Sequence, residues 1–348
     1  IRAVKRQQVG FPKPFRASFN PRLAHDRHRL HRLSHLRRAS LADRVGNSIK
    51  PFVAGLYGKA SMHVPAEIVA EASSLARGTG ADCYLPIGGG STIGLAKALV
   101  LSSPAPVLAI PTTYAGSEMT TIYGITERGE KKTGRDERVL PQTVIYDPSL
   151  TVGLPVGLSA SSGMNAIAHC VEALYAPDGN PVISLIAEEG IRALGEALPV
   201  ITQNPTDPTA RTKALYGAWL AGTALGSTAM GLHHKLCHVL GGGWRLPHAE
   251  THCAILPHAM HYNRIAASEA ERRICAALRS ADAAGGLYDL EAKLGVTTNL
   301  AGIGMPQAGL ADAARAATQS SYPNPVPLSF DGVLRLLENA YAGIRPGD

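Results

Sequence analysis

At Asp147-Pro148 the periodicity of the chain changes and does not change back. Upstream, short apolar runs alternate with helical segments. Phe52–Leu56, Cys83–Ile87, Val107–Ile110 and Val144–Tyr146 read as strands, and residues 39–47, 65–77 and 92–101 read as helices. In the 65–77 segment a proline stands at a first-turn position, and Ile68, Val69, Ala72 and Leu75 share one face. Strands alternating with helices predict a parallel sheet with helices on its faces. Downstream, residues 159–201, 209–262, 265–280, 286–294, 309–318 and 328–342 carry helical patterns broken by Gly and Pro. The expected fold class is therefore α/β plus all-α. A Rossmann-like parallel-sheet nucleotide domain is expected over 39–150 and an all-helical catalytic domain over 151–348, with the boundary in the Pro- and Gly-bearing stretch 148–156. A length of 348 residues also suggests two packed domains.

Charge separates one further segment. The net charge is +7, but residues 1–38 alone carry +10 and the remaining 310 residues carry −3. The Arg-rich run 22–38 of the basic arm has no interleaved aromatic residue, which limits it to salt-sensitive, non-specific contact with phosphate. Aromatics make up 5% of the chain, too few for a platform that stacks single-stranded bases. The expectation is no specific nucleic-acid partner. The five cysteines are scattered without a CxxC pair, which fits reduced thiols and a cytoplasmic location better than a disulfide framework. No apolar run reaches the roughly 18 residues needed to span a bilayer, and the first 30 residues lack the apolar centre of a secretory signal.

Three groups of residues could carry chemistry. Gly88-Gly89-Gly90-Ser91 sits between an expected strand and an expected helix. Such a turn either cradles phosphate on backbone N–H groups at a helix N-terminus or is simply tight; it is not the GxGxxG fingerprint. Pro111-Thr112-Thr113-Tyr114-Ala115-Gly116-Ser117 follows the next strand, where open α/β sheets bind nucleotides, although hydroxyls there also cap helices. In the helical half, Asn165 and His169 are four residues apart, as are His234 and His238, and His248 follows ten later. Four-residue spacing puts each pair on one helix face. A lone histidine is more often a satisfied polar residue than a ligand; the joint spacing is what points to a site.

The stretches GGGSTIGLAKA (88–98), PTTYAGSEMT (111–120), SGMNAIAHCVEALYA (162–176), GLHHKLCHVLGG (231–242) and LPHAETHCAILPH (246–258) together carry a resemblance. From Ala39 onward the chain resembles the iron-containing alcohol dehydrogenase family, which shares the dehydroquinate synthase-like architecture, and within it the branch that reduces maleylacetate. The resemblance implies NADH or NADPH as cofactor, a homodimer, and an active site between the two halves. It implies that Gly88, Gly89, Gly90 and Ser91 hold the pyrophosphate, and that Thr112, Thr113 and Ser117 line the ribose and nicotinamide. The family's metal site would fall on Asn165, His169, His234 and His248, with His238 near the reacting centre. Metal-dependent members carry Asp where Asn165 stands and an acidic residue where Gly94 stands. The amide removes the only anion from the ligand set, so chemistry without a metal is expected; if a metal binds, His169, His234 and His248 hold it.

The implied reaction is reduction of maleylacetate, and of chloromaleylacetates by analogy, to 3-oxoadipate in aromatic-compound degradation. His238 and His248 are the candidate proton donors, His169 and His234 orient substrate, and Asn165 donates through its amide. Val326 stands where the branch carries an Arg, so a carboxylate clamp would have to come from Lys235, Arg245 or Arg135. Residues 1–38 match nothing of the family's opening strands. A reading-frame error upstream of Ala39, a divergent arm and an Arg-rich targeting peptide are the competing readings. The alternatives to the reductase are a metal-dependent alcohol or polyol dehydrogenase, a nucleic-acid binder acting through the arm, and a folded but inactive relative.

Overall fold

The computed structural model describes residues 41–127, 130–296, 299–319 and 321–347. The basic arm and every reading of it lie outside these residues.

The α/β half is built on three very short parallel strands. β1 is Ile87–Gly88, β2 is Leu108–Pro111 and β5 is Thr143–Val144, in the order β1-β2-β5. β2 is central: Ile87 pairs with Ile110, and Leu108 with Thr143. A lone bridge from Tyr84 to Val107 extends the first pair backwards. The prolines explain the shortness. Pro86 and Pro106 have no N–H to give a ladder, so only their carbonyls accept, from Ile110 and Tyr84. Helix α1 (Leu41–Ser48) precedes the sheet. Helix α2 (Ala66–Thr79) starts after Pro65 and ends on Gly80 in the left-handed conformation, with φ of 66°. Helix α3 (Gly90–Ser102) leaves β1 directly and is apolar nearly all round, as a helix buried between sheet and neighbours must be.

Four expectations are corrected here. Phe52–Leu56 forms no strand: Lys50–Phe52 is one 3₁₀ turn, and residues 51–56 are exposed with no ladder partner among the described residues. Apolar sequence alone does not make a strand without an edge to pair with. Leu75 is 37% exposed, and the buried face of α2 runs instead through Ala72, Ser73 and Ala76. The strand expected over Val144–Tyr146 is Thr143–Val144, although Ile145 still donates to the Ala109 carbonyl at 2.8 Å. Finally, β3 (Ile122–Glu127) and β4 (Glu130–Arg135) form an antiparallel pair that the sequence reading did not anticipate.

Beyond Asp147, which caps a 3₁₀ turn at Pro148–Thr151, all described regular structure is helical. Helices α4 (Val156–Tyr175), α5 (Pro181–Gln203) and α6 (Pro208–Ser227) pack together around Met164, Ile191, Leu194, Leu198 and Leu215. Helices α7 (Leu232–Trp244), α8 (His248–Asn263), α11 (Leu310–Thr318) and α12 (Phe330–Ala342) enclose a second core around Leu236, Leu240, Ile255 and Leu337. Helices α9 (Ser268–Leu278) and α10 (Ala283–Leu294) close the first core from the other side.

The two halves meet in one compact unit, residues 41–348, and glycine lets them meet closely. Gly116 has φ of 74°, and a Cβ on it would stand 2.9 Å from the Gly222 Cα of α6. A Cβ on Gly222 would in turn meet the Gly116 carbonyl oxygen at 2.7 Å. Only glycine on both sides permits this backbone contact. Arg211 of α6 reinforces it. This fully buried guanidinium donates to the Tyr114 hydroxyl at 2.9 Å, the Ser159 hydroxyl at 2.8 Å, the Pro205 carbonyl at 2.9 Å and the Leu154 carbonyl at 3.4 Å. The Tyr114 N–H donates to the Ser162 hydroxyl of α4 at 3.0 Å. The loop after β2 is thereby fastened to α4 and α6 together.

Candidate active site

Two loops leave the carboxyl ends of adjacent parallel strands, and both are shaped by glycine. Gly89 caps α3 in an extended conformation, so the helix opens with N–H groups that no side chain at the cap satisfies. A Cβ on Gly88 would stand 2.5 Å from the Thr92 hydroxyl, and one on Gly89 would stand 2.9 Å from the Thr113 Cγ2. The Thr112 N–H donates to the Gly88 carbonyl at 3.0 Å. The first loop therefore lies directly against the second, and Gly88, Gly89, Gly90, Ser91, Thr112, Thr113 and Ser117 are brought to one end of the sheet. A backbone cradle at a helix N-terminus next to hydroxyls fits a nucleotide pyrophosphate. Replacing Gly89 with valine should raise the KM for the nicotinamide nucleotide about tenfold, from overpacking of about 1–3 kcal/mol against Thr113. Steady-state kinetics checks this; an unchanged KM would remove the loop from the nucleotide site.

Lys97 of α3 fixes the second loop from beneath. Its fully buried ammonium donates to the Ser117 carbonyl at 2.5 Å, the Thr120 carbonyl at 2.8 Å, the Thr120 hydroxyl at 2.9 Å and the Ile122 carbonyl at 2.9 Å. Burial pushes this group down to about 7, against the pull of the Glu118 carboxylate.

The second loop reaches the histidines through Ala115, whose carbonyl lies 3.4 Å from the His169 Nε2. His169 and Asn165 stand on α4, one turn apart, and are 4% and 5% exposed. His169 Nδ1 lies 2.9 Å from His234 Nε2, and His234 Nδ1 lies 2.5 Å from a carboxylate oxygen of Glu172. Glu172, fully buried on the same helix, also accepts from the backbone N–H groups of Gly231, His233 and His234 at the start of α7. This carboxylate therefore sits where the helix dipole favours an anion. The distances admit a chain of donors from Asn165 to the carboxylate, in which His169 Nε2 accepts and so gives no bond to the Ala115 carbonyl. The Asn165 amide donates to His169 Nε2 over 3.5 Å, His169 Nδ1–H donates to His234 Nε2, and His234 Nδ1–H donates to Glu172. Both histidines are then neutral. Burial, reinforced by the neighbouring His234, holds His169 well below the usual imidazole range.

His238 and His248 complete the cluster. The His238 ring lies 6.5 Å from that of His234, and the His248 ring lies 4.5 Å from His252, itself 5.0 Å from His234. Unlike the others, both are solvent-exposed. The structure thus brings together all five residues singled out by spacing. Sequence reasoning missed Glu172, His233 and His252. The signal for Glu172 was present: it follows His169 by three, so it shares the face already carrying Asn165 and His169.

Arg135 is committed elsewhere, donating to the Gly226 and Thr228 carbonyls at the end of α6. Lys235 lies 5.9 Å from the centre of the Tyr322 ring, and Arg245 is exposed at the end of α7. The Pro323-Asn324-Pro325 segment is an interhelical loop, held by a reciprocal amide pair between Asn324 and Asn263.

Two glycine-shaped loops at the ends of parallel strands, docked against a histidine-bearing helical half, define the class. The model of the iron-containing alcohol dehydrogenase matches residues 32–148, and that of the family's C-terminal part matches residues 159–341. The chain belongs to the iron-containing alcohol dehydrogenase family, whose members are nicotinamide-dependent oxidoreductases. It is 57% identical to the maleylacetate reductase of Burkholderia cepacia over 305 residues, covering 88% of this chain and 87% of the relative. It is 49% identical to the maleylacetate reductase of Sphingobium indicum over 348 residues, covering 98% and 99%. The crystal structure of the maleylacetate reductase from a Rhizobium strain superposes with a TM-score of 0.85 at 48% identity, covering 88% of this chain and 87% of that one.

The family's metal can be tested on the residues present. Asn165, His169, His234 and His248 contain no anion, and iron(II) sites normally combine imidazoles with a carboxylate. This donor set does not fit the ion.

Proposed function

We propose that this chain reduces maleylacetate to 3-oxoadipate with NADH or NADPH and without a metal. The observation that carries the reading is the unbroken run from Asn165 through His169 and His234 to Glu172, which puts a hydrogen-bond network where the metal-dependent members place an ion. The identity to curated maleylacetate reductases supports the substrate.

A nicotinamide held at Gly88–Ser91, Thr112, Thr113 and Ser117 supplies the hydride. The substrate is an enone, and hydride addition at the carbon β to the ketone leaves an enolate. The protein must stabilise that oxygen and then place one proton on the α carbon. His169 and His234, linked to each other and anchored on Glu172, orient the substrate. The Asn165 amide has two N–H donors, so it can bond His169 Nε2 with one and offer the other to substrate. The proton comes from His238 or His248. A donor that reloads from water at every turnover must reach water, and of these histidines only these two are exposed.

In this reading residues 39–150 act as the nucleotide domain and 151–348 as the catalytic domain of a cytoplasmic homodimer. The five unpaired cysteines fit a reducing compartment. No helix of the described residues is long and apolar enough to cross a membrane. The test is NADH or NADPH consumption by the full chain with maleylacetate in excess chelator. Turnover that chelator leaves unchanged is the expected result. Turnover that appears only when Fe²⁺ or Zn²⁺ is added would overturn the metal-free assignment in favour of the metal-dependent alternative.

A further inference from the structure

Behind the histidines just described lies a second cluster that the proposed reaction does not use. His233 and Cys237 stand one turn apart on α7, and His252 faces them from α8. All three are buried, with exposures of 0%, 1% and 0%. His233 Nε2 lies 2.8 Å from His252 Nδ1 and 3.8 Å from the Cys237 sulfur. The three donor atoms all lie within 4.8 Å of one another.

As core filling this trio is expensive. The inner nitrogens face each other and the Cys237 sulfur, while the outer nitrogens, His233 Nδ1 and His252 Nε2, have no partner among the described residues. Apolar residues of the same volume would carry no such cost. Two imidazoles and a thiol are, however, a matched set for a borderline-soft cation. A tetrahedral zinc ion, with Zn–N of about 2.0–2.1 Å and Zn–S of about 2.3 Å, sets N···N near 3.3 Å and N···S near 3.6 Å. The His233–His252 and His233–Cys237 separations differ from these by about half an ångström or less.

We propose that His233, Cys237 and His252 form a binding site for a thiophilic divalent cation of the zinc class, separate from Asn165, His169, His234 and His248. Its donors include a thiol and exclude carboxylates, so it selects against Mg²⁺ and Ca²⁺. Burial, reinforced by the Glu172 carboxylate, keeps the empty site's thiol protonated by pushing it well above its usual range. Loading therefore releases that proton to solvent as the metal–sulfur bond forms. The ion joins α7 to α8 and leaves one coordination position for water.

The probe is Co²⁺, offered to the full chain both folded and during refolding, because the cluster is enclosed. The expected result is one Co²⁺ per chain with a thiolate-to-cobalt charge-transfer band, and a raised Tm. Cys237→Ala should lose the band, and His169→Gln should keep it. Since Cys237→Ala exchanges one small buried side chain for another, its folding is checked by circular dichroism; His252→Gln gives an independent loss of the Co²⁺ stoichiometry. Absence of a thiolate band in the wild-type chain under both loading conditions would overturn the proposal. So would a band that survives in Cys237→Ala, or one that disappears in His169→Gln.

Discussion

Alanine at His238 or at His248 should lower kcat with maleylacetate by about 10²- to 10⁴-fold, the range for loss of a positioned general acid. Both side chains are exposed, so neither substitution opens a cavity, and Tm should stay near that of the parent. The expected signature is a fall in kcat with little change in the KM for the nucleotide, because Gly88–Ser91 and Thr112–Ser117 are untouched. The two variants should not be equally damaged: the larger loss marks the residue that delivers the proton. If each retains near-full turnover, the proton donor lies elsewhere in the cluster.

Methionine at Arg211 should act on stability instead. Arg211 holds four neutral oxygens from four separate segments. Removing it leaves buried Tyr114 and Ser159 hydroxyls without that donor. A loss of about 3 kcal/mol is expected from the stranded acceptors, which for a unit of this size lowers Tm by about 4–5 °C. Thermal denaturation followed by circular dichroism is the check. A change under about 2 °C would mean that the cost of burying the guanidinium cancels what its hydrogen bonds return, as happens for many buried charges.

Much of the site was legible because helical spacing is local. Asn165 with His169, and His234 with His238, could be paired from their separations alone, and the structure groups them. Which helix meets which is not local. Nothing in the spacing says that His234 Nε2 meets His169 Nδ1, or that Glu172 anchors the start of α7 from another helix. His252 was not singled out, although its four-residue interval from His248 was there to see. The fold divides the same way. The switch from alternating elements to helices at Asp147-Pro148 was plain, since it is a change of period. The β3–β4 pair was not, because residues 122–127 and 130–135 (IYGITE and EKKTGR) alternate poorly and the second is rich in charge. Phe52–Leu56 erred in the opposite sense: its composition suits a strand, but a strand exists only where a neighbour supplies the other half of the ladder.

The segment Tyr114-Ala115-Gly116 has a consequence for anyone redesigning this enzyme. Its first residue is bolted to α4 and α6, its last abuts Gly222, and the carbonyl between them touches His169. The segment also continues the loop that carries Thr112 and Thr113. Cofactor preference and proton chemistry are thus not interchangeable modules. A loop transplanted from a relative to alter nucleotide choice would bring its own Ala115 carbonyl position, and the acceptor facing His169 would move with it. Such grafts will carry over only when the incoming loop keeps the glycine that abuts Gly222 and the hydroxyl that meets Arg211.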